Sequence, residues 1–406
     1  MRILYYHQFF TTRSGSGGTR SYEMARALIE SGHEVTIVCS EHNRGQLGLS
    51  PDSKYGGTRG DVEGIDVIAL PMHYSNHQNL VERARTFLKY ALGGVRVAFS
   101  EPHDLLFATS TPLTAGLPGI AMKLFGRRSI FVFEVRDLWP ELPRALGVTN
   151  PLVLLGMDAL EWLSYRAADR CIGLAPGIVR GIERRARRGL PISMIPNGCD
   201  LDLFQPKLRA PLRLEGIADG DFVAGFTGAH GIANGLDAVI EAAIVLQRRG
   251  LEAIKFLLIG EGSEKAGLLQ RAKEAGLRNC IFLPLMPKLE LAKITASLDV
   301  GLQILKDVPA FYYGTSPNKF FDYLAAGIPV LTNYPGWIAD LVTTHDLGVA
   351  VPPREPEAFA DALLAMSREP SRLERQGCNA RKLAETEFGR GLLAERFVRF
   401  LTSSSD

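Results

Sequence analysis

The chain has 406 residues, of which 46% are hydrophobic and 22% charged, so it is long enough for two or three globular domains and is neither a short peptide nor a disordered protein. Its 46 basic and 44 acidic side chains give a net charge of +2, a balance that argues against a nucleic-acid binder that works by neutralising phosphates. The five cysteines are far apart and form no C-x-x-C pair, so neither a disulfide framework nor a zinc ribbon is predicted and a cytoplasmic location is expected. The amino-terminal segment does not resemble a secretion signal, and no apolar run approaches the length of a membrane span.

In the first half, short apolar and β-branched runs alternate with helical patterns, which predicts a parallel sheet covered by helices on both faces. Strands are predicted near Ile3–Tyr6, Glu34–Cys39, Asp66–Leu70, Leu105–Ala108, Ser129–Glu134, Cys171–Leu174 and Ser193–Ile195. Helices are predicted near Thr19–Ser31, Leu80–Phe99, Pro112–Phe125, Leu152–Ala168 and Gly177–Arg188. Residues Glu41–Gly64 are rich in Gly, Ser, Asn and Asp and are expected to form a long loop.

A second series of the same kind follows Pro196-Asn197-Gly198, with the linker predicted at Cys199–Asp221. Strands are predicted near Phe222–Phe226, Lys255–Ile259, Ile281–Leu283, Val300–Ile304 and Pro329–Thr332, with helices starting near Gly235, Ser263, Leu289, Asn318 and Trp337. The sequence therefore predicts two doubly wound α/β domains. In such sheets ligands bind at the carboxyl ends of the strands, where helix amino termini favour phosphate.

A glycine-rich turn follows the first predicted strand and opens the first helix. Its residues Gly17 and Gly18, with Thr19 after them, can bring backbone N–H groups close to a diphosphate or a substrate hydroxyl. The alternative is a purely structural role, in which the glycines form a tight turn that binds no ligand. A nicotinamide-binding fingerprint would need a third glycine where Arg20 stands, so a dinucleotide oxidoreductase is a weak alternative.

Two similar turns follow neighbouring strands of the second domain. A pair of such turns indicates a shared anion-binding site more strongly than a single turn does. Their candidate ligand-binding residues are Gly228, His230, Gly231 and Asn234 in the first turn, and Gly262 and Lys265 in the second. A third element, starting at Ser316 and Asn318, places Lys319 at a predicted helix amino terminus and Asp322 one turn later. Lys319 can meet a phosphate and Asp322 a pair of ribose hydroxyls. The alternative for this pair is a solvated helix surface.

Taken together, several motifs resemble glycosyltransferase family 4. They are G-G-T-R near the start, F-E-V-R-D-L-W-P-E at 133–141, P-N-G-C-D at 196–200, G-x-x-G-x-x-x-G-L at 228–236 and P-N-K-F-F-D-Y-L-A-A-G-I-P-V at 317–330. The resemblance covers nearly the whole chain and is strongest to the branch with bacterial N-acetylfucosamine and other O-antigen or capsule transferases.

This resemblance implies the GT-B fold, with two Rossmann-like domains facing across a cleft. It implies an acceptor-binding domain at 1–199, a nucleotide-sugar-binding domain at 200–385 and a terminal segment at 386–406 whose helix packs back on the first domain. It also implies a retaining, metal-independent enzyme without a cofactor, which moves a sugar from a nucleotide-diphosphate donor, with a UDP-sugar favoured, to a glycan or a polyprenyl-diphosphate-linked acceptor. A sugar-nucleotide 2-epimerase on the same fold and a non-catalytic nucleotide-sugar-binding protein remain as alternatives.

The chain departs from the family pattern at positions that matter for catalysis. An acid that many members carry eight residues before Asp322 is replaced by Gly314, and the basic pair of the second-domain loop falls at about Ala229 and Asn234. Lys319 and helix amino termini are then expected to neutralise the diphosphate, with Lys265, Arg20 or His230 as further candidates. In the retaining family the departing phosphate is commonly thought to take the acceptor proton, so no obvious base is required.

The candidate catalytic residues of the first domain follow a predicted strand, where such sheets place functional groups. They are Glu134, Arg136 and Asp137, the last two standing where many family members have a His-Asp pair. A structured turn is the alternative for Asp137. A hydrolase using Asp137 and Glu141 as paired carboxylates is a weaker alternative, since no other catalytic motif accompanies them.

Two patterns that suggest metal sites are discounted, so no metal is expected. Asp200-Leu-Asp202 matches the D-x-D of metal-dependent transferases, but it follows an Asn-Gly turn at the linker. His73 and His77 lack a third ligand at suitable spacing.

The segment Arg180–Arg188 contains five arginines on a predicted helix. A solvated face is the default interpretation. The alternative is attraction to anionic lipid, which would hold the enzyme peripherally on the inner face of the cytoplasmic membrane.

Overall fold

The structure is a computed structural model that describes residues 1–15, 17–41, 47–52, 54–72, 78, 80–145 and 147–403. The chain divides into two compact units. Unit 1 comprises Met1–Pro196, Gly314–Ser316 and the residues from Gly391 onward, and unit 2 comprises Asn197–Tyr313 and Pro317–Arg390. The chain thus passes from one unit to the other at four places.

Unit 1 is built on a nine-stranded sheet within the described residues, in the order β3-β4-β5-β2-β1-β6-β7-β8-β9. Its central strands are apolar and buried because helices cover both faces, as in other parallel sheets. The strands are β1 Arg2–Tyr6, β2 Glu34–Ser40, β3 Ser50–Pro51, β4 Thr58–Val62, β5 Ile65–Leu70, β6 Leu105–Thr109, β7 Ile130–Val135, β8 Arg170–Gly173 and β9 Ile192–Met194.

The helices of unit 1 follow the predicted positions closely. They are α1 Arg20–Glu30, α2 Leu80–Ser100, α3 Leu117–Leu124, α4 Glu141–Ala145, α5 Pro151–Ala167 and α6 Pro176–Arg185. The predicted helix at 112–125 instead begins with a 3₁₀ turn at Leu113–Gly116. The short helix α4 was not predicted. Asn150 caps α5 by accepting from the backbone N–H groups of Leu152 and Val153.

The expectation of a loop throughout Glu41–Gly64 is wrong for its described second part. Strand β4 lies antiparallel to β5 and also pairs with β3. Glu63 and Gly64 connect β4 to β5, and both have positive φ, as a two-residue hairpin turn with the twist of the flanking strands requires. The polar composition concealed the hairpin because β4 is an outer strand with only two buried residues.

Unit 2 is built on a parallel six-stranded sheet in the order β12-β11-β10-β13-β14-β15. The strands are β10 Phe222–Thr227, β11 Ile254–Ile259, β12 Cys280–Leu283, β13 Val300–Gln303, β14 Val330–Thr332 and β15 Gly348–Ala350. The order reverses at β10, whose neighbours are β11 and β13. This reversal is the place where sheets of this kind bind ligands, beyond the carboxyl ends of the strands.

The helices of unit 2 cover its sheet and bury a core that includes Phe226, Phe256 and Phe359. They are α7 Asp237–Arg248, α8 Lys265–Glu274, α9 Lys288–Ala296, α10 Pro309–Tyr312, α11 Asn318–Ala326, α12 Trp337–Thr344, α13 Pro356–Ser367 and α14 Pro370–Leu383. The sequence did not predict β15, α10, α13 or α14.

The last helix, α15 Arg390–Thr402, starts where the chain leaves unit 2. Its Phe397 packs edge-on against Phe107 of unit 1, with ring centroids 5.1 Å apart. Just before it, the backbone N–H of Cys199 donates to the carbonyl of Phe388 at 2.7 Å, and the N–H of Arg390 donates to the carbonyl of Cys199 at 2.9 Å. The residues that follow the first crossing and those that precede the last are therefore joined by backbone hydrogen bonds within unit 2.

None of the described helices combines the length and the apolar character needed to cross a membrane.

Candidate functional site

The two glycine turns of unit 2 pack directly on each other at the carboxyl ends of β10 and β11. A Cβ atom at Gly260 would lie 1.9 Å from the carbonyl oxygen of Gly228, and one at Gly262 would lie 2.3 Å from that of His230. Gly228 also has a φ of +142°, which side-chain-bearing residues rarely adopt. Glycine is therefore required here because two backbones approach closely, and the turns form one continuous surface.

Lys319 reaches this surface from the first turn of α11. Its ammonium group donates to the side-chain carbonyl of Asn234 at 3.2 Å and lies 4.6 Å from the centroid of the Phe226 ring. A Cβ at Gly228 would lie 3.1 Å from Cε of Lys319. The structure thus brings together Gly228, Asn234 and Lys319, which are separate in the sequence.

The amino terminus of α11 supports the same site. Pro317 is the N-cap residue and makes no side-chain capping hydrogen bond to the helix, which leaves the first N–H groups without that common partner. Asn318 and Lys319 are the first two residues of the helix, and Ser316 precedes Pro317. A helix amino terminus next to an ammonium group attracts anions.

Burial changes the protonation of Lys319. Desolvation lowers the pKa of its ammonium group to about 8, and the nearby Asp322 carboxylate opposes this shift. Near neutral pH the lysine is mostly protonated, without a carboxylate in direct contact within the described structure. An anion that binds here would supply the charge partner that the ammonium group otherwise lacks.

Asp322 belongs to a buried ionic cluster that the sequence analysis did not find. Asp200 is 2% exposed and accepts from Lys288 Nζ at 2.5 Å and from Arg390 Nε at 2.7 Å. Lys288 Nζ lies 4.0 Å from Oδ1 of Asp322. Desolvation raises the pKa of Asp322 to about 6, with Lys288 opposing the shift, while Arg390 and Lys288 hold the pKa of Asp200 below its usual range despite its burial.

His230, a predicted ligand-binding residue, lies in the first glycine turn. It is fully buried, and neither ring nitrogen has a hydrogen-bond partner among the described residues. Burial, reinforced by Lys265 and opposed by Glu261, lowers its pKa to about 4, so the imidazole is neutral near pH 7. Buried polar atoms without partners are uncommon in folded proteins, which marks this turn as a place that a ligand can complete.

Lys265 is engaged by its own turn. Its ammonium group donates to the carbonyls of Gly260 at 2.9 Å and Leu283 at 3.2 Å, and to Glu261 at 2.6 Å. It therefore stabilises the second glycine turn. Gly231 has open space around its Cβ position, and Gly262 is exposed.

In unit 1, Glu134 lies in a buried ion pair. Its carboxylate accepts from the Arg20 guanidinium at 2.7 Å and from the Thr109 hydroxyl at 3.0 Å. Arg20 also donates to the carbonyls of Pro196 and Ile195. These contacts join α1 to β7 and to the segment that ends at Pro196, which gives Glu134 and Arg20 a structural role. The sequence predicted Glu134 as a catalytic residue and Arg20 as a further candidate for diphosphate binding.

The other unit 1 candidates lie at the carboxyl ends of strands. Arg136 and Asp137 follow β7, and the backbone N–H of Arg136 donates to the Ser110 hydroxyl at 2.9 Å. Desolvation raises the pKa of Asp137, with Arg136 opposing the shift. Gly17 and Gly18 are exposed in the turn before α1.

No group of three or more His, Cys, Asp or Glu side chains suited to a metal ion occurs within the described ranges. The D-x-D residue Asp200 already has two cationic partners, Lys288 and Arg390. His73 and His77 lie outside the described residues.

A cavity of about 310 Å³ adjoins the first glycine turn, and its lining includes Gly231, Gly235 and Lys306. Lys319 and Asp322 do not line it. We therefore define the candidate anion site by the contacts between the two glycine turns and the start of α11, and not by this cavity.

Two family models match consecutive parts of the chain. One, described as a glycosyl transferase 4-like domain, matches residues 15–198, and the other, described as glycosyl transferases group 1, matches residues 221–369. The anion site of α11 and the glycine turns lies within the second match.

Individual relatives and a solved structure agree with these models. The chain is 23% identical over 413 residues to the putative colanic acid biosynthesis glycosyl transferase WcaI of Escherichia coli, covering 98% of this chain and 99% of that protein. It is 30% identical over 197 residues to the D-inositol 3-phosphate glycosyltransferase of Nocardia farcinica, covering 47% of this chain and only 42% of that protein. The structure of Anabaena HepE in complex with UDP and glucose superposes over 100% of both chains, with a TM-score of 0.72 and 17% identity.

Proposed function

We propose that this chain, which belongs to glycosyltransferase family 4 and has the GT-B fold, transfers a sugar from a UDP-sugar to a carbohydrate or polyprenyl-diphosphate-linked acceptor. The donor diphosphate binds unit 2 between the two glycine turns and the start of α11. The principal support is the position of Lys319, whose ammonium group contacts Asn234 at 3.2 Å beside Gly228.

This arrangement suits the departure of a diphosphate. When the bond between the sugar C1 and the phosphate oxygen breaks, its electron pair leaves with the UDP, and the ammonium of Lys319 and the N–H groups of α11 stabilise the added negative charge. The acceptor oxygen bonds to C1, and its proton passes to the departing phosphate oxygen. Transfer on the same face retains the anomeric configuration and needs neither a cofactor nor a divalent ion.

Asp322 has the role of binding the ribose. Its pKa of about 6 leaves it mostly ionised near neutral pH, when a carboxylate can accept from two hydroxyl groups. The choice of UDP is supported by the name of one structural neighbour, the HepE complex with UDP and glucose. The choice of pathway, bacterial surface polysaccharide assembly of the O-antigen or capsule kind, is supported by the similarity to WcaI, a putative colanic acid biosynthesis glycosyl transferase.

The reaction is tested in two steps. Thermal-shift screening against UDP, GDP, ADP and TDP identifies the base, and UDP is expected to raise Tm most because binding to the native state stabilises it. Proton NMR of the matching sugar nucleotide with an acceptor and a chelator then follows transfer and the configuration at C1.

Each outcome has a distinct meaning. Retained configuration without a metal supports the proposal. Conversion of the donor to another sugar nucleotide without acceptor would indicate the 2-epimerase, and nucleotide binding without turnover across an acceptor panel would indicate the non-catalytic alternative. Either result would contradict the proposed transfer.

The basic segment Arg180–Arg188, which begins on α6 and continues past its end, gives the enzyme an electrostatic attraction to the inner face of the cytoplasmic membrane, where a polyprenyl-linked acceptor would be found. Arg180, Arg184, Arg187 and Arg188 are exposed. Each basic group near an anionic surface contributes about 1 kcal/mol, and this attraction weakens with salt. Flotation with anionic vesicles at low salt is the test, and protein that stays entirely in the soluble fraction would contradict it.

A further inference from the structure

Helix α5 exposes several large apolar side chains to solvent, whereas an ordinary surface helix turns its apolar face towards the core. Leu152, Leu155 and Trp162 are 77%, 64% and 42% exposed. Val153 and Leu163 are exposed as well. The spacing of Leu152, Leu155, Ala159 and Trp162 is three or four residues, so these side chains form one stripe along the outer side of the helix. We call this set the α5 stripe.

The inner face of α5 carries polar groups instead. Glu161, Ser164 and Tyr165 are buried. The Glu161 carboxylate accepts from the backbone N–H of Trp139 at 2.7 Å and from Arg185 at 2.8 Å, and burial raises its pKa to about 7. Because the buried side of α5 is occupied by these three residues, with Glu161 and Ser164 hydrogen-bonded there, the apolar stripe lies on the opposite, uncovered side of the helix. An exposed apolar surface of this kind marks an interaction site.

The neighbours of the stripe are basic. Arg185 of α6 pairs with both Asp158 and Glu161 of α5, which fixes α6 beside α5. The other arginines of the basic segment 180–188 are exposed, Arg180 and Arg184 on α6 and Arg187 and Arg188 just after it. Arg166 lies on α5 itself, with its guanidinium 5.2 Å from the centroid of the Trp162 ring. The only acidic residue on α6 is Glu183.

We propose that α5 lies in the headgroup region of an anionic bilayer, with the α5 stripe inserted among the acyl chains and the exposed arginines of the basic segment 180–188 on the lipid headgroups. An apolar face with leucine and tryptophan beside a basic rim is the pattern of helices that lie in the membrane plane. The charge next to the stripe selects this occupant, because a second copy of the chain would bring equal arginine clusters towards each other. The inserted stripe adds an apolar contribution that salt does not screen.

Flotation at two salt concentrations separates the two contributions. Phosphatidylcholine vesicles with about 30% phosphatidylglycerol are mixed with the full chain at about 0.1 M and 0.5 M NaCl, where screening lengths differ about twofold. The wild type is expected to lose part of its binding at high salt and to keep the rest. At 0.5 M NaCl the bound fraction of the variant Leu152→Gln/Leu155→Gln is expected to be at least about fivefold smaller than that of the wild type, because burying each leucine contributes about 1.5–3 kcal/mol.

Leu269→Gln is the matched control, since Leu269 is 42% exposed on α8 of unit 2; it is expected to float like the wild type. Both changes are at exposed positions, so Tm and UDP affinity should stay unchanged, and the result is independent of whether the proposed transfer is correct. As a second measurement on the unchanged protein, brominated lipid should quench tryptophan emission, and Trp162→Phe should remove most of that quenching.

Equal flotation of the stripe variant and wild type at 0.5 M NaCl, or quenching that survives Trp162→Phe, would overturn the proposal. So would a wild-type dimer in sedimentation that the stripe variant converts to monomer, because the stripe would then be an interface between copies.

Discussion

At the scale of single residues, the candidate site is defined by buried or half-buried polar groups whose hydrogen bonding is incomplete or lacks an opposite charge. Lys319 is a cation whose direct partner is a neutral amide, and His230 is a neutral imidazole without hydrogen bonds in the described structure. The first arrangement is unfavourable in the free protein because desolvation opposes the charged form of Lys319, and the second because the buried ring nitrogens of His230 lack hydrogen bonds. Such a site gains more from a bound anion than a fully paired site would.

The His230 pKa predicts a particular pH dependence of stability. The unfolded chain takes up a proton on this residue below about pH 6.5, whereas the folded protein does so only near pH 4, so stability falls as pH decreases between these values. His230→Gln removes this contribution. Between pH 7 and 4.5 the Tm of the variant is expected to fall less than that of the wild type, by a few degrees, as calorimetry can measure.

Lys265, Glu261 and Lys319 face His230 and remain in both proteins, and so does Asp322, whose raised pKa acts in the opposite sense over the same range. The comparison therefore isolates the imidazole. Parallel Tm curves for the two proteins would contradict the assigned burial of a neutral histidine.

The variant Glu134→Gln distinguishes a structural role of Glu134 from a catalytic one. Glu134→Gln leaves the buried Arg20 without its carboxylate, and breaking a buried pair destabilises by about 3–5 kcal/mol. We expect a clear loss of Tm by calorimetry, with kcat per folded molecule close to that of the wild type. A large loss of kcat with unchanged Tm would show instead that Glu134 takes part in the reaction.

At the scale of elements, periodicity located most strands and helices because they are buried on regular faces. It failed for β4, whose polar side chains hide an outer strand, and for the π-helix at Ala384–Phe388 that precedes α15. The glycine turns and Lys319 could be predicted, since glycine after a strand and lysine at a helix start have local physical causes. The cluster of Asp200, Lys288 and Arg390 could not, because it joins residues 88 and 190 positions apart in the chain.

Lys288, at the start of α9, is a positioning residue that acts through Asp322. Lys288→Met removes the cation 4.0 Å from that carboxylate, so the pKa of Asp322 should rise further above about 6. Because ribose binding needs the ionised form, the pH below which UDP affinity falls should move upward by about one unit. Calorimetric titrations of UDP from pH 5.5 to 8 measure this shift.

The control for this prediction is Lys293→Met, an exposed lysine on the same helix, which should leave the pH profile unchanged. Lys288→Met is also expected to lower Tm, since Asp200 keeps only Arg390 as its ion-pair partner. A lower Tm alone would not move the profile along the pH axis, so an unshifted profile would contradict the positioning role.

At the scale of the whole molecule, each unit contributes a separate function to the proposal. Unit 2 holds the nucleotide, and unit 1 carries the α5 stripe and the basic α6. The sequence predicted the two-domain α/β architecture and the basic segment, because both have local patterns. It did not reveal the stripe, since apolar residues at helical spacing ordinarily predict a buried face and only the structure shows which side of α5 is covered.

The central claim is that Lys319 and the glycine turns bind the nucleotide diphosphate without a metal. Isothermal titration calorimetry of UDP at pH 7 with a chelator present tests it on the wild type and on Lys319→Met, with Lys273→Met, an exposed lysine of α8, as the matched control. We predict binding by the wild type and the control, and at least about tenfold weaker binding by Lys319→Met, as expected for the loss of a charge-assisted hydrogen bond. Equal affinity of Lys319→Met and the wild type, or wild-type binding that appears only after a divalent ion is added, would contradict it.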